Sequence, residues 1–326
     1  MHVGMTVKRH TIVGLAIAVC VIVLAYCVFR SESPAPTGPD RMRVGYLAIA
    51  NSLPLYVAVA DGLFAANGLD VRLEEYKTSN DLVEALVAGR IDLQVSASSA
   101  VLFNFESKQP GLFAAFSANV QTQAHYPDMV LVRTDSDITS MTDLAGTRMA
   151  TFPGSTFLAI TKIVLRAYID PGTVTLEQVP PPSQMEALAA GQVDALYTME
   201  PFCTMATERG IARVLLPAAA EKHVCDPLVG GLSTFSRKTA LARAVAAEAF
   251  SEAYDAAIGV VRTEERRARS IMPKFMPITE EMAQKVRLVG VWKHGELDLG
   301  VVRTYAEALA AEGELASVPD MNGLKW

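Results

Sequence analysis

Cysteine is scarce in this chain. Four occur in 326 residues, Cys20 and Cys27 within an apolar N-terminal stretch and Cys203 and Cys225 in the body. No Cys/His spacing of the zinc type exists, and none of the five histidines pairs with another, so neither a metal nor any other cofactor is expected. No serine or cysteine has a sequence-visible base and orienting acid, and glycine-rich phosphate loops are missing, so no catalytic residue is assigned. Beyond the N-terminus there is no long Lys/Arg run, and the formal net charge is -6. That excludes a nucleic-acid partner, because phosphate binding needs a concentrated basic stripe.

What the chain does have is apolar material and a repeat. Hydrophobic residues make up 51% and charged residues 20%, enough for two ordinary lobes and too apolar for disorder. The phrase Ala85-Leu-Val-Ala-Gly-Arg-Ile-Asp-Leu93 returns as Ala187-Leu-Ala-Ala-Gly-Gln-Val-Asp-Ala-Leu196. Each copy reads as a helix end, a glycine in the left-handed conformation that closes the helix, and a short buried strand. Two α/β lobes of like design follow, with a crevice between them at the carboxyl ends of the strands.

Lys8, Arg9 and His10 precede an uncharged stretch over residues 11–29, followed by Arg30. At ~1.5 Å per residue this segment just spans a ~30 Å bilayer core. Positive charge before it puts the body outside the cytoplasm. Three fates are open: an uncleaved anchor, acylation of Cys27 in Leu24-Ala25-Tyr26-Cys27, or cleavage near Ser31. All deliver the body to the extracytoplasmic face, where a Cys203–Cys225 disulfide is permitted, the alternative being two buried free thiols.

The expected organisation is a signal or anchor over residues 1–30, a proline-rich linker over 31–41, the first part of lobe 1 over 42–127, lobe 2 over 128–236, and a helical return over 237–326 that completes lobe 1. Within each lobe the βαβα order favours a mostly parallel sheet. The prolines 180–182 end a strand and are not expected to continue in a helix. Apolar spacing predicts helices over 238–261, 280–292 and 301–312.

Three strand-to-helix junctions carry small polar residues: Asn51 and Ser52, Ser98 and Ser99, Ser155 and Thr156. Free N–H groups at a helix start favour anions or ligand acceptors, and hydroxyls add donors; plain helix capping is the alternative. Glu200, held by Pro201 at the end of the second repeat strand, suits a ligand amine or a hinge. Asn119 and Gln121, with His125 and Tyr126, form a polar stretch at the crossing into lobe 2, where loop residues line clefts or simply face solvent.

Taken in order, Pro54-Leu-Tyr-Val-Ala, Gly68-Leu-Asp-Val, Ala85-Leu through Gly89-Arg-Ile-Asp, Leu131-Val-Arg, Asp143-Leu-Ala-Gly, Pro153-Gly-Ser, Ala187-Leu through Gly191-Gln-Val-Asp-Ala and Glu200-Pro resemble the ABC-transporter periplasmic binding proteins for aliphatic sulfonates, taurine, nitrate and thiamine-type pyrimidines. The resemblance implies an α/β, two-lobed type II periplasmic-binding-protein fold, hinged and closing on a small ligand. It implies ligand contacts from the Asn51-Ser52 loop, the Ser98-Ser99 helix start, the Pro153-Gly-Ser-Thr turn and the Glu200-Pro corner. It further implies a monomer that delivers its solute to an ABC permease and has no enzymatic activity. An exported or anchored enzyme on the same fold, or a ligand-sensing module, is the alternative reading. The cysteine-rich motif of family members that make a pyrimidine from their own histidine is absent.

Overall fold

The computed structural model describes residues 40–326. The expected anchor over 11–29, nearly all of the linker, Cys20 and Cys27 lie outside the described residues. Among those described, no helix is long and apolar enough to cross a membrane.

Two sheets form. The first contains β1 (Asp40–Leu47), β2 (Leu69–Tyr76), β3 (Leu93–Ser98), β4 (Phe113–Gln121), β10 (Leu228–Ser236) and β11 (Gly290–Trp292), in the order β11-β4-β10-β3-β1-β2. The second contains β5 (Asp128–Arg133), β6 (Arg148–Thr151), β7 (Thr175–Gln178), β8 (Ala195–Met199) and β9 (Ala212–Pro217), in the order β7-β6-β8-β5-β9. The chain crosses between sheets twice, from β4 to β5 and from β9 to β10.

Neither sheet is mostly parallel, contrary to expectation. The β1–β2, β1–β3, β6–β7 and β6–β8 pairs are parallel. The returning strand β10 runs antiparallel between β3 and β4, and β5 lies antiparallel between β8 and β9. The sequence boundary at residue 236 therefore differs from the observed one, since the chain rejoins the first sheet at Leu228. Central strands carry fully buried apolar runs, as sheets covered on both faces do.

The repeat forms the same device twice. The helix Ser79–Val87 ends with Gly89 at φ +69°, Gly89 N–H donating to Leu86 O (3.0 Å) and Arg90 N–H to Ala85 O (2.9 Å). The helix Pro181–Ala189 ends with Gly191 at φ +67°, Gly191 N–H donating to Leu188 O (3.1 Å) and Gln192 N–H to Ala187 O (2.9 Å). Both are Schellman motifs, satisfying carbonyls that a helix end otherwise leaves free. The aspartate that follows clasps the neighbouring strand. Asp92 Oδ2 accepts from Arg43 N–H (2.8 Å) while Arg43 Nη2 donates to Asp92 Oδ1 (2.9 Å) and Gly89 O (3.0 Å). Asp194 Oδ2 accepts from Arg148 N–H (2.9 Å) while Arg148 Nη2 donates to Gly191 O (2.6 Å). Each clasp fixes register at the amino edge of a parallel pair.

Other departures have local causes. Pro181 and Pro182 open a helix rather than excluding one, since the first helical turn needs no N–H partner. The expected helix 280–292 stops at Lys285, and Gly290–Trp292 pairs with β4 instead. The expected helix 238–261 is two, Arg237–Ala242 and Ala244–Thr263, broken at Arg243. The helix Leu299–Ala311 packs into an apolar cluster that holds Leu102, Phe103 and Leu228 of the first lobe together with Val130, Tyr197 and Leu216 of the second, so the two sheets share part of one core.

Candidate functional site

The carboxyl edge of the first sheet gathers five of the candidates, Asn51, Ser98, Ser99, Asn119 and Gln121. Asn51 O, in the turn after β1, accepts from Ser96 Oγ (2.9 Å) and from Asn119 Nδ2 (3.1 Å). Asn119 is almost wholly buried, yet its Oδ1 has no partner among the described residues. Gln121 is buried two residues on along β4. Ser99 is fully buried with an unpartnered Oγ, while Ser98, half-buried, caps nothing with its hydroxyl and donates its N–H to Ser79 Oγ (3.1 Å). Buried polar atoms without partners cost free energy of the order of ~1–3 kcal/mol each, which a ligand or water would recover.

Ser52 plays another part. Its hydroxyl donates to Leu47 O (2.9 Å), bracing the turn from within. Ser155 and Thr156 begin the helix Ser155–Arg166 without a side-chain cap, and Ser155 is exposed; only Gly154 N–H, ahead of it, is tied, to Gln178 Oε1 (2.7 Å). No hydrogen bond among the described residues joins these two, or Glu200, to the first-lobe cluster.

Glu200 caps the helix Phe202–Glu208 at short range. Its Oε2 accepts from Thr204 N–H (3.2 Å) and its Oε1 from Thr204 Oγ1 (2.8 Å). Burial pushes its carboxyl up, opposed by the Thr204 bonds and by Arg287 of the helical return. Arg287 also covers the Tyr126 ring at 5.2 Å, and Lys285 pairs with Glu208 at 2.5 Å, so this corner joins the two lobes. His125 is exposed beside Tyr126 in the first crossing.

Sequence reasoning missed the residues that shape the cluster. Ser96 sits at φ +61°, a strained conformation for a non-glycine residue, with its N–H donating to Ser233 Oγ (3.1 Å). Gln94 bridges β3 and β10 through Leu232 O (2.9 Å) and Thr234 Oγ1 (3.1 Å) where the register shifts. The adjacent Gly230 and Gly231 make room: a Cβ on Gly231 would stand 2.8 Å from Asn119 Oδ1, and one on Gly230 would collide with the Gln121 amide. Two glycines inside a strand were the visible signal.

Cys203 and Cys225 are free, not bonded to one another. Cys203 Sγ points inward at Thr198 O (3.3 Å), and burial, then Glu200, raises its thiol well above the usual range. Burial and Glu221 push Cys225 up to about 12. Among the described residues no group of three or more His, Cys, Asp or Glu could hold a metal ion.

A second polar cluster lies where both crossings meet. Asp128, first in β5, and Glu221, in the helix Ala219–His223 just before β10, are both buried without a cation. Asp128 Oδ2 accepts from Ala220 N–H (2.9 Å), whereas Asp128 Oδ1 and both Glu221 oxygens are buried with no hydrogen-bond partner among the described residues. Burial raises both carboxyls, opposed at Asp128 by the Ala220 N–H, and Glu221 is pushed up to about 10 by burial and then by Asp128, so Glu221 holds its proton at neutral pH.

The model of the family described as NMT1/THI5 like matches residues 49–263, about two thirds of the chain, with all of the second sheet and four of the six strands of the first. The chain belongs to the NMT1/THI5-like family. Sequence comparison with curated proteins found no match. Solved structures similar in fold include the periplasmic aliphatic sulphonate binding protein SsuA from Escherichia coli (TM-score 0.73, 17% identity, covering 89% of this chain and 92% of that one). The alkanesulfonate-binding protein SsuA from Xanthomonas axonopodis pv. citri bound to MOPS is also similar (0.71, 21%, 89% and 99%). So is the desulfurization enzyme DSZB (0.68, 15%, 88% and 96%). The periplasmic-binding-protein fold is shared by this NMT1/THI5-like chain, by binding proteins and by an enzyme.

Proposed function

We propose that this chain is the extracytoplasmic solute-binding component of an ABC importer, taking a small polar ligand of the sulfonate class between its two lobes and handing it to a permease. The observation that carries this reading is the set of buried, unpartnered polar atoms at the carboxyl edge of the first sheet, Asn119 Oδ1 and Ser99 Oγ, beside the strained Ser96. Such atoms await a partner from outside the chain. The uncapped helix start at Ser155 offers free N–H groups to an oxyanion from the second lobe. The names of the similar structures support sulfonates as the first class to try. The raised thiols of Cys203 and Cys225 speak against a thiolate nucleophile on this fold.

Calorimetric titration of the purified protein with MOPS, taurine, nitrate and an aminopyrimidine tests the reading. Saturable binding is expected for a sulfonate, recovered unchanged, and Asn119→Ala should weaken it about tenfold, the worth of one hydrogen bond to a buried group. Absence of heat with folded, ligand-free protein would refute it, and chemical conversion of the ligand would favour an enzyme.

A further inference from the structure

We propose that the knuckle between the helices Arg237–Ala242 and Ala244–Thr263 is a membrane-contact surface that rests on anionic phospholipid. Leu241 and Val245 are 75% and 84% exposed, far beyond the next large hydrophobic residue, Val87 at 42%. They flank the break at Arg243, and Ala242 and Ala244 between them are exposed too. From Arg237 to Ala247 the sequence holds Arg237, Lys238 and Arg243 and no acidic residue; the exposed carboxylates Glu248 and Glu252 come only further along the helix. Protruding apolar side chains beside the exposed Lys238 match a bilayer interface bearing anionic headgroups.

The position of the knuckle selects the occupant. Arg243 donates to the Asp40 carboxylate and to Arg41 O (2.6 Å), which fixes the knuckle to the point where residues 40–326 receive the preceding chain. From Arg30, just after the apolar run 11–29, to Asp40 is ten residues. That length reaches at most ~35 Å when extended, which bounds how far from the bilayer an anchored chain lets this face stand. Arg243 is engaged by Asp40 and Asp92, and Arg237 bonds the carbonyls of Phe113 (2.6 Å) and Gly323, which leaves Lys238 as the cation free of ion pairs among the described residues. The inference rests on reading residues 11–29 as a retained membrane anchor.

The full chain, reconstituted in phosphatidylethanolamine and phosphatidylglycerol vesicles with a photo-crosslinking amino acid in place of Ala244, tests this. Phospholipid adducts are expected at 244 and not at the control position Val214, on β9. The double substitution Leu241→Glu and Val245→Glu should lower lipid capture at 244 at least about tenfold. Retention on vesicles with no lipid adduct at 244, or with a protein adduct in its place, overturns the contact surface while leaving the anchor standing. Failure of the chain to stay with the vesicles overturns both.

Discussion

Replacing Glu221 by glutamine probes the buried acid pair where the two crossings meet. In the folded chain Glu221 holds its proton, its carboxyl pushed up to about 10, whereas in the unfolded chain an ordinary glutamate ionises near ~4.3. Between those values the folded state binds one proton more than the unfolded state. Stability therefore falls as pH rises through this window, by ~1.4 kcal/mol per unit for a single group. Glutamine occupies the same space and can still donate an N–H to Asp128, but it does not titrate. From pH 6 to pH 8 the parent should thus lose ~2.7 kcal/mol more than Glu221→Gln, which becomes the more stable of the two on the alkaline side. Urea unfolding followed by tryptophan fluorescence at several pH values measures the difference. Parallel stability profiles for parent and variant would refute a protonated Glu221 and mean that it ionises in the folded chain.

The two clasps should differ in strength. Asp92 is largely buried against Arg43, and Asp92→Ala should cost ~2–3 kcal/mol in urea unfolding, whereas Asp194→Ala, at a more exposed copy, should cost under ~1 kcal/mol. Glu200→Gln keeps an acceptor for Thr204 but removes the carboxylate facing Arg287. Calorimetry should register a shift in sulfonate affinity only if this corner moves when ligand binds, and an unchanged affinity would assign Glu200 to helix capping alone.

Much of the architecture is legible where a residue's own chemistry dictates it. Gly89 and Gly191 announce their helix ends because only glycine takes φ near +67–69° without strain. Both lobes, the first crossing and the helix Leu299–Ala311 follow from such local signals. The rest depends on distant partners. Nothing within Leu228–Ser236 says that it belongs between β3 and β4, because its partner strands lie more than a hundred residues earlier. Trp292 sits at helical spacing from Leu288 and Val289, yet Gly290 and a free strand edge on β4 win it for the sheet. Among the candidate residues, Asn51, Ser99, Asn119 and Gln121 were legible as polar residues at strand ends, and they lie together at the carboxyl edge of the first sheet. Ser96 was not, since its strain exists only in the fold. The aspartate of each repeat read as part of a buried strand, because its arginine partner lies far back in sequence.

Both clasps lie at the amino edge of their sheets, whereas Ser96, Asn51, Asn119 and Glu200 lie at the opposite edge. Stiffness and irregularity are thus kept at opposite ends of the same strands. With register locked behind them, the carboxyl ends hold a strained serine, a shifted ladder and an unpaired amide oxygen without the strands slipping. A substitution along that rim therefore leaves strand register to the aspartate–arginine clasps at the far end.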